Sequence, residues 1–544
     1  YEGEAEEGLR TRGATPVMHY DPPGRVVRTD MPDGTFSRVA FDGWCESHED
    51  ANDTVLESRW RTPRTGAGEG DPDVRARVLA DLHANTPTRI HTDALGRPIA
   101  VVAHNAWKEG ETREQEFLVT RVELDVQGQQ RKVVDALGRL VQWSGFDMLG
   151  RALWTRAMDA AGPNPDADVS DAALPGLLRP ATSATPAMRV TRALADVLSK
   201  PAVKWTERGF RFEDTYDVAR RLTTVTVTSP TGASTVTEHL LYGEALPPAE
   251  ARIGNLRGRV WRVYDGGGCV EHVQHDYRGN LTESVRRLPN THRGGCDWSA
   301  VAHPTVAEGL SLAEARDAAA NDLLLTEEFV TQTTHDALGR PVEVLPPRSS
   351  TRASGSSHAR AIQYAYHDGG ALRQIRVRYS EDGVTPAVWR TYVASVTYNA
   401  RRQRERITYG NGAITTSQYD VHTFRLRGLK HTVVQDGTTK TAMDCAYTYD
   451  PVGNLVQVDD YAVEAEERAV VVGPRDVMPA TSQYVYDAIY RLLKATGREH
   501  PSTTPPDPTP DGDGNGGPGG THPNDLAALM AYTEQYAYDA VGNF

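Results

Sequence analysis

The chain has 544 residues, a formal net charge of −14 at pH 7 and 39% hydrophobic residues. The acidic balance argues against nucleic acid as the main partner, because phosphate backbones are bound by an excess of positive charge. No stretch approaches the roughly eighteen apolar residues that a membrane-spanning helix needs, so the sequence predicts no direct membrane span.

From residue 17 onward, one short phrase returns along the chain, whereas residues 1–16 form an acidic lead-in that we expect to belong to a preceding segment. The phrase is an aromatic or polar residue, Asp, two further residues, Gly, Arg or Asn, and an apolar residue. Eight good copies contain Asp21, Asp93, Asp135, Asp147, Asp276, Asp336, Asp450 and Asp539. Five weaker copies contain Asp217, Asp265, Asn399, Asp420 and Asp487. Such recurrence predicts a repeat architecture, which grows by stacking similar units.

Each copy is interpreted as a strand, a tight turn and a second strand. Residues before the Asp alternate, as in 446–450 (AYTYD), which places two tyrosines on one face of a strand. Asp is favoured at the first position of a type I turn, where its carboxylate can accept a hydrogen bond from the backbone two residues on. Gly three residues later suits the left-handed position that closes a hairpin loop. Successive copies therefore predict a continuous antiparallel sheet.

Several segments interrupt this pattern. Residues 71–84 and 306–328 have helix-forming composition with apolar residues at spacings of three and four, and both are predicted helical insertions. Residues 159–200 are rich in Ala, Pro and Asp and are predicted to be an irregular excursion with short helical turns. Residues 501–524 are a Pro/Gly/Asp stretch that predicts a flexible loop.

No pattern in the sequence indicates a catalytic site, a cofactor-binding site or a metal site. Residues 511–516 (DGDGNG) resemble a calcium loop, but the twelfth position from Asp511 is His522, where an EF-hand needs Glu. The repeated aspartates are explained by their turn positions. The cysteines are scattered without a CxxC pair, at Cys45, Cys269, Cys296 and Cys445. We therefore predict no catalytic residue, no metal ligand and no cofactor.

The repeated phrase carries a family resemblance, strengthened by longer phrases at 31–42 (MPDGTFSRVAFD), 52–58 (NDTVLES), 486–500 and 536–544 (YAYDAVGNF). Together they resemble the Rhs/YD-repeat proteins, and most of all the repeat region of bacterial Tc-toxin B and C components. The resemblance covers residues 17–544. It implies a mostly β fold in which YD-repeat hairpins form a large spiralling antiparallel sheet that curves into a hollow shell.

The resemblance also implies a function and partners. The chain would be a structural shell segment that encapsulates a C-terminal toxic effector for later delivery. Its expected partners are that effector and other segments or subunits of a toxin complex, including a pore-forming translocation subunit. The expected location is secreted or toxin-complex associated, in a bacterium. The self-cleaving aspartate site of the family lies after the repeats and nothing in the chain matches it, so we expect no enzyme activity.

Two other classes of function compete with a shell. One is a teneurin-like extracellular adhesion surface or a carbohydrate-binding scaffold, with the motif tyrosines as its platform. Scattered cysteines without an EGF-type cluster argue against adhesion, and the position of the tyrosines in the motif favours packing between strands. The other class is an enzyme, which would need a concave polar cluster that the sequence does not indicate.

Overall fold

The structure is a computed structural model that describes residues 15–65, 68, 70–109, 112–157, 190–291, 293–349, 360–380, 387–462, 480–499 and 530–544. Strand accounts for 53% of the structure and helix for 11%. Because the helix content lies far below the roughly one third of an average globular protein, the predicted mostly β fold is confirmed. The chain divides into a first unit, Tyr1–Arg139 with Thr397–Phe544, and a second unit, Leu140–Val396.

Described strands of the first unit come from both of its chain segments. They are β1 (Val17–Tyr20), β2 (Val26–Asp30), β3 (Phe36–Phe41), β4 (Cys45–Glu49), β5 (Thr88–Thr92), β6 (Pro98–Glu109), β7 (Thr112–Leu124) and β8 (Gln130–Val134). After the second unit follow β24 (Arg404–Tyr409), β25 (Ile414–Tyr419), β26 (Leu426–Gln435), β27 (Thr438–Tyr449), β28 (Leu455–Asp460), β29 (Thr481–Tyr486), β30 (Leu492–Glu499) and β31 (Met530–Gln535).

The second unit holds the strands numbered between these two groups. They are β9 (Leu140–Phe146), β10 (Ala152–Ala157), β11 (Thr191–Ala195), β12 (Pro201–Trp205), β13 (Arg211–Tyr216), β14 (Leu222–Thr228), β15 (Ser234–Tyr242) and β16 (Val260–Asp265). They continue as β17 (Gly268–His275), β18 (Leu281–Pro289), β19 (Leu324–His335), β20 (Pro341–Ser349), β21 (Ala361–Tyr366), β22 (Leu372–Tyr379) and β23 (Val388–Tyr398).

Consecutive strands pair antiparallel within each unit. Ile90 of β5 lies opposite Val101 of β6, for example, and Phe212 of β13 lies opposite Val227 of β14. Eleven of the thirteen motif copies follow an odd-numbered strand, and Asp135 and Asp265 are the two exceptions. Antiparallel strands reverse direction at each turn. Within a series of consecutive paired strands, the turns that follow odd-numbered strands therefore lie at the same edge of the sheet.

Four helices lie among the described residues: α1 (Pro72–Leu82), α2 (Pro248–Ile253), α3 (Ser299–Ala302) and α4 (Leu312–Leu323). Short 3₁₀ segments occur at Val55–Glu57, Thr62–Thr65 and Gly243–Ala245. Helix α1 begins after Asp71, whose carboxylate accepts the backbone N–H of Asp73, and has Pro at its start. Helix α4 begins with a capping box, in which Ser311 and Glu314 bond each other's backbone N–H groups.

The structure corrects two of the predicted insertions, and the first is the helix predicted over 306–328. Helix α1 falls inside 71–84, but the helix predicted over 306–328 ends at Leu323, and residues 324–328 belong to β19. The apolar spacing of residues 324–328 fits either a helix or a strand. They form a strand because they pair with β18, with Leu324 opposite Pro289 and Glu328 opposite Arg287.

The irregular excursion predicted over 159–200 is wrong for its last ten residues. Residues 191–195 form β11, and Asp196 opens a further motif turn in which Ser199 occupies the position of Gly. Residues 159–189 lie outside the described part of the chain. The predicted loop at 501–524 and residues 1–14 of the acidic lead-in lie outside it as well.

Two apolar clusters lie beneath the helical insertions. In the second unit, the rings of Tyr264 and Trp298 pack with centroids 5.2 Å apart in a cluster beside α3 and α4. In the first unit, Val55, Trp60 and Val456 pack against the buried alanines of α1. Elsewhere many strands are half-buried along their whole length, as in β29. Such strands depend on contacts within the sheet more than on a core.

The strand pair β9–β10 offers a test of packing within a single sheet. Trp154 lies opposite Gly145, and a Cβ added at Gly145 would stand 2.2 Å from Nε1 of Trp154. Gly145→Ala should therefore lower the free energy of unfolding by about 1–3 kcal/mol, because the indole must move from its site. Gly266→Ala is the matched control, since no atom lies within 4 Å of its added Cβ. Chemical denaturation monitored by fluorescence measures the free energy of unfolding of both variants. An equal loss in Gly145→Ala and Gly266→Ala would contradict the close packing of Trp154 on Gly145.

Candidate functional site, the repeated Asp turn and a buried seam

The aspartate carboxylate organises each motif turn. At Asp336, Oδ1 accepts the backbone N–H groups of Leu338 at 2.8 Å and Arg340 at 3.0 Å. The backbone N–H of Gly339 donates to the carbonyl of Asp336, and Gly339 has φ of 77°. This geometry confirms the predicted turn, with Asp at its first position and Gly in the left-handed region.

Several copies keep a left-handed turn residue without glycine, and at Asp420 the turn is one residue longer, because Phe424 N–H donates to the carbonyl of Asp420. Five residues hold the left-handed position with φ between 58° and 70°: Ser199, Arg220, Arg402, Phe424 and Tyr490. A side chain in this region is disfavoured, so these turns depend on the aspartate bonds and on neighbouring contacts. Loss of the glycine signal is also why the copy at Asp196 is hard to find in the sequence.

The Arg that follows the left-handed residue ties its turn to the next one. Its Nε donates to its own aspartate, as from Arg491 to Asp487 at 2.6 Å. Its Nη1 then reaches the backbone carbonyl of the next motif Asp, as from Arg491 to Asp539 at 3.0 Å. The same link joins Arg151 to the carbonyl of Asp196 at 2.7 Å. Successive turns along one edge are thus connected by a single side chain.

The motif tyrosine reaches in the opposite direction, to the preceding hairpin. Tyr366 precedes a further turn of this kind, in which His367 takes the place of Asp and Gly370 holds the left-handed position. The hydroxyl of Tyr366 donates to the carbonyl of Pro341 at 2.8 Å, and the guanidinium of Arg340 lies 4.4 Å from the centroid of its ring. Equivalent hydroxyl bonds run from Tyr216 to Pro201 and from Tyr538 to Leu492. Five motif tyrosines that we expect to pack between hairpins are half-buried: Tyr447, Tyr449, Tyr484, Tyr486 and Tyr538.

The turn geometry also fixes the acid–base character of the exposed aspartates. The side-chain hydrogen bond from Arg97 and the surrounding backbone N–H groups lower the pKa of Asp93. The backbone N–H of Arg340 is the largest influence that lowers the pKa of Asp336. An acid–base dyad needs one carboxyl with a raised pKa, so these turns are built for ionised carboxylates.

Two motif turns of the first unit differ because other strands of that unit cover them. Asp450 is 2% exposed and Asp487 is fully buried. Asn52 donates from Nδ2 to Oδ2 of Asp450 at 2.9 Å, and Asn105 donates from Nδ2 to Oδ2 of Asp487 at 3.1 Å. The backbone N–H of Ala488 also donates to the carbonyl of residue 106 at 2.9 Å. We call these contacts between residues 50–116 and residues 450–491 the seam.

Further polar groups lie beside these two turns. The hydroxyl of Tyr490 donates to the carboxylate of Asp50. Asp53 accepts both the N–H and the hydroxyl of Thr86 at 2.8 Å. Burial, followed by the charge of Asp50, raises the pKa of Asp53 to about 6. His83 lies 3.0 Å from the carbonyl of Tyr486 through Nε2, which must carry the proton, and burial lowers the pKa of His83.

Sequence reasoning did not identify the seam. Asn52 lies inside the phrase 52–58 that carries part of the family resemblance, but Asn105 has no local signal. The partners are separated by nearly 400 residues of sequence, so only the fold brings them together. The sequence does predict turns at Asp450 and Asp487, and the structure places both residues in turns.

Within the described ranges, no group of three or more His, Cys, Asp or Glu side chains is arranged to hold a metal ion. None of the described helices is long and apolar enough to cross a membrane.

Comparison with known proteins relates this chain to toxin subunits. No family model matches the chain. Toxin subunit YenC2 of Yersinia entomophaga is 28% identical over 323 residues, which are 57% of this chain and 28% of YenC2. Toxin subunit YenC1 of the same organism is 32% identical over 156 residues, which are 28% of this chain and 14% of YenC1. The chain is therefore similar in sequence to part of these toxin subunits.

Solved structures share the fold of this chain. The crystal structure of TcdB2-TccC3 matches 98% of the chain with a TM-score of 0.73 at 23% identity. The Photorhabdus luminescens Tc holotoxin pore matches 99% with a TM-score of 0.74 at 22% identity. The chain covers 22% and 21% of those two chains, so it corresponds to a segment of a much longer structure.

The tyrosine link between YD hairpins can be tested by removing one hydroxyl. Tyr366→Phe should lower the free energy of unfolding by about 0.5–1.5 kcal/mol, because the carbonyl of Pro341 loses its donor while the ring stays. Tyr277→Phe is the control, since Tyr277 is exposed and its hydroxyl contacts only the neighbouring Arg278 among the described groups. Urea denaturation measures both, and an unchanged midpoint for Tyr366→Phe would contradict the link.

The lowered pKa values of the exposed turn aspartates predict a pH dependence of stability. A carboxyl with a lower pKa in the folded state stabilises the protein above its unfolded pKa near 4, and this contribution is lost as the pH falls further. The melting temperature should therefore fall below about pH 4. Replacing Asp217, Asp276 and Asp336 by Asn should lower the melting temperature at pH 6 and make the fall below pH 4 shallower. If the melting temperature fell with pH in the same way in both proteins, the turn aspartates would not be the cause of the pH dependence.

Proposed function

We propose that these residues form part of the wall of a Tc-type toxin shell that encloses a toxic effector until delivery. The observation that supports this most is the coupling of hairpins through their edge residues. Tyr, Asp and Arg connect neighbouring hairpins without requiring an apolar core, as at Asp336, Arg340 and Tyr366. A sheet stabilised in this way can leave both faces accessible, as a wall between a lumen and solvent requires.

The relatives support the toxin context of this proposal. YenC1 and YenC2 are toxin subunits, and the matching solved structures are Tc-toxin assemblies. We infer that the partners of the chain are the enclosed effector and the other subunits of a toxin complex, including a pore-forming translocation subunit. Secretion as part of that complex follows from the same inference.

An adhesion or carbohydrate-binding scaffold is less well supported. Such a platform needs aromatic faces that are open to a ligand. Several motif rings are instead covered by guanidinium groups, at 4.4 Å for Arg340 on Tyr366 and 5.1 Å for Arg491 on Tyr538.

Protease protection tests the enclosure. The chain assembled with the other subunits of its toxin complex should leave an enclosed effector uncut by trypsin at concentrations that digest the free effector. Mild acid or heat that opens the shell is the positive control, because the effector should then be cut. Digestion of the effector in the intact assembly at the rate of the free effector would contradict the proposal.

We also propose that the segment is not an enzyme and does not cleave itself. Its exposed motif aspartates have lowered pKa values and are bonded to backbone N–H groups, which suits a structural role. The purified chain should keep its intact mass during incubation from pH 4 to pH 8. A defined cut that disappears after one Asp→Asn substitution would contradict this.

A further inference from the structure

The two residues after each motif Asp form the tip of the turn, and in many copies both are apolar. Turn tips are ordinarily rich in Gly, Pro, Asn, Asp and Ser, because these residues suit the turn backbone or bond to it. The turns after β9, β11 and β13 instead carry apolar tip residues that are each at least 62% exposed: Met148, Leu149, Val197, Leu198 and Val218. We call these five residues the apolar tip row.

The turns of the apolar tip row lie side by side at one edge of the second unit. Strands β9 to β14 pair antiparallel in sequence order, so the turns after β9, β11 and β13 share an edge. Side chains connect these turns: Nη1 of Arg151 donates to the carbonyl of Asp196 at 2.7 Å, and Nζ of Lys200 donates to the carbonyl of Arg220. The five exposed apolar side chains are therefore gathered along one edge, and gathered apolar surface of this kind marks a site of interaction.

Two turns of the first unit show what covers a tip of the same chemistry. Pro451 and Ala488 hold the first tip position of the turns at the seam, and both are buried. Residues 50–116 cover them through polar and apolar contacts together. The backbone N–H of Ala488 donates to the carbonyl of Ala106 at 2.9 Å, and Val456 packs against α1. A motif turn is thus covered by strands and loops from a distant part of the sequence.

The carboxylates of the exposed turns can take part in the same contact. At the seam, Oδ2 of Asp487 accepts Nε of Arg491 at 2.6 Å and also Nδ2 of Asn105 at 3.1 Å. At the edge of the second unit, Oδ2 of Asp147 accepts Nε of Arg151 at 2.6 Å. A carboxylate oxygen has two lone pairs, so this oxygen can accept a further donor from a covering strand.

Partners across the seam are separated by a similar length of chain. The separation is 398 residues between Asn52 and Asp450, and over the side-chain bonds of the seam it runs from 375 to 440 residues. A repeat sheet that returns on itself at a similar interval brings the same kind of contact to successive turns. Subtracting 375–440 from positions 148–218 gives partners about 160–290 residues before Tyr1.

We propose that the apolar tip row is a docking surface for a preceding run of antiparallel strands of the same polypeptide, about 160–290 residues before Tyr1. That run would cover the row as residues 50–116 cover the turns at the seam, with side-chain donors for the turn oxygens and apolar side chains for the tips. Proteins of this fold have the length for it, because the chain covers only 22% and 21% of the two solved chains. The contact extends the proposed wall but requires no enclosed effector.

Methionine oxidation tests whether the row is covered. Met148 is 91% exposed, so hydrogen peroxide should oxidise its thioether rapidly in the 544-residue chain. In the complete polypeptide that contains these residues, oxidation of Met148 should be at least about tenfold slower, because the docked strands must first open. Peptide mass mapping measures both rates, and equal rates for Met148 in the two proteins would overturn the proposal.

Glu238→Met is the matched control for the oxidation. Glu238 is exposed at the centre of β15, away from the turn edge. A methionine at this position should therefore oxidise at the same rate in the 544-residue chain and in the complete polypeptide. Slowing at position 238 equal to that at Met148 would overturn the assignment of the protection to the turn edge.

Cross-linking identifies the occupant. A photoreactive benzoylphenylalanine at position 148 of the complete polypeptide should form an intramolecular cross-link to residues about 160–290 positions before Tyr1. The same group at position 218 gives a second measurement if the first variant does not fold. A cross-link to a second copy, which doubles the mass, a cross-link to another subunit, or none at either position would overturn the proposed occupant.

A pair of charged substitutions compares an exposed tip with a covered one. Val218 and Ala488 hold the same motif position, but Val218 is exposed and Ala488 is buried. In the 544-residue chain, Ala488→Asp should lower the melting temperature and Val218→Asp should leave it unchanged, because only the first buries a charge. In the complete polypeptide both substitutions should lower it. A melting temperature that Val218→Asp leaves unchanged there would contradict the docking surface.

These measurements need no effector, so they separate the docking surface from the proposed function. An unprotected Met148 in an assembly that still shields its effector from trypsin would refute the docking surface and leave the shell intact. A protected Met148 together with a digested effector would refute enclosure and leave the docking surface as a property of the fold.

Discussion

The repeated aspartate carboxylate is the interaction on which the rest of the structure depends. One oxygen closes the turn by accepting two backbone N–H groups, and the other holds the Arg that follows the Gly. Once held, that Arg lies over the next motif tyrosine, as Arg340 does over Tyr366. The turn, the strand direction and the contact with the next hairpin thus originate from a single side chain, which explains why Asp is the least varied position of the phrase.

This arrangement explains how a long sheet can be stable with little apolar core. Apolar clusters occur beneath the helical insertions, where α1 covers one part of the first unit and α3 and α4 cover part of the second. Elsewhere the hairpins depend on backbone pairing, on hydroxyl bonds to carbonyls and on guanidinium–aromatic contacts. Such a sheet is suited to a wall, because stability does not require either face to be buried.

Much of the fold could be predicted because its signals are local. The turn at Asp336 needs only the residues from 336 to 340, and the cap of α1 needs only Asp71 and the Pro that follows. The strand at 324–328 could not be predicted, since its apolar spacing fits a helix equally well and pairing with β18 decides. The motif copy at Asp196 could not be predicted either, because Ser199 stands where most copies have glycine. The seam was missed because Asn52 and Asp450 meet only through the fold.

The coupling between neighbouring hairpins is the central claim, and a double-mutant cycle on Arg340 and Tyr366 tests it most directly. Arg340→Met and Tyr366→Leu are measured singly and together by urea denaturation, and Arg340→Met with Tyr277→Leu serves as the control pair. The account predicts a coupling free energy of about 0.5–1.5 kcal/mol for the first pair and none for the control. Additive effects of Arg340→Met and Tyr366→Leu would contradict it, because the two hairpins would then be stabilised independently.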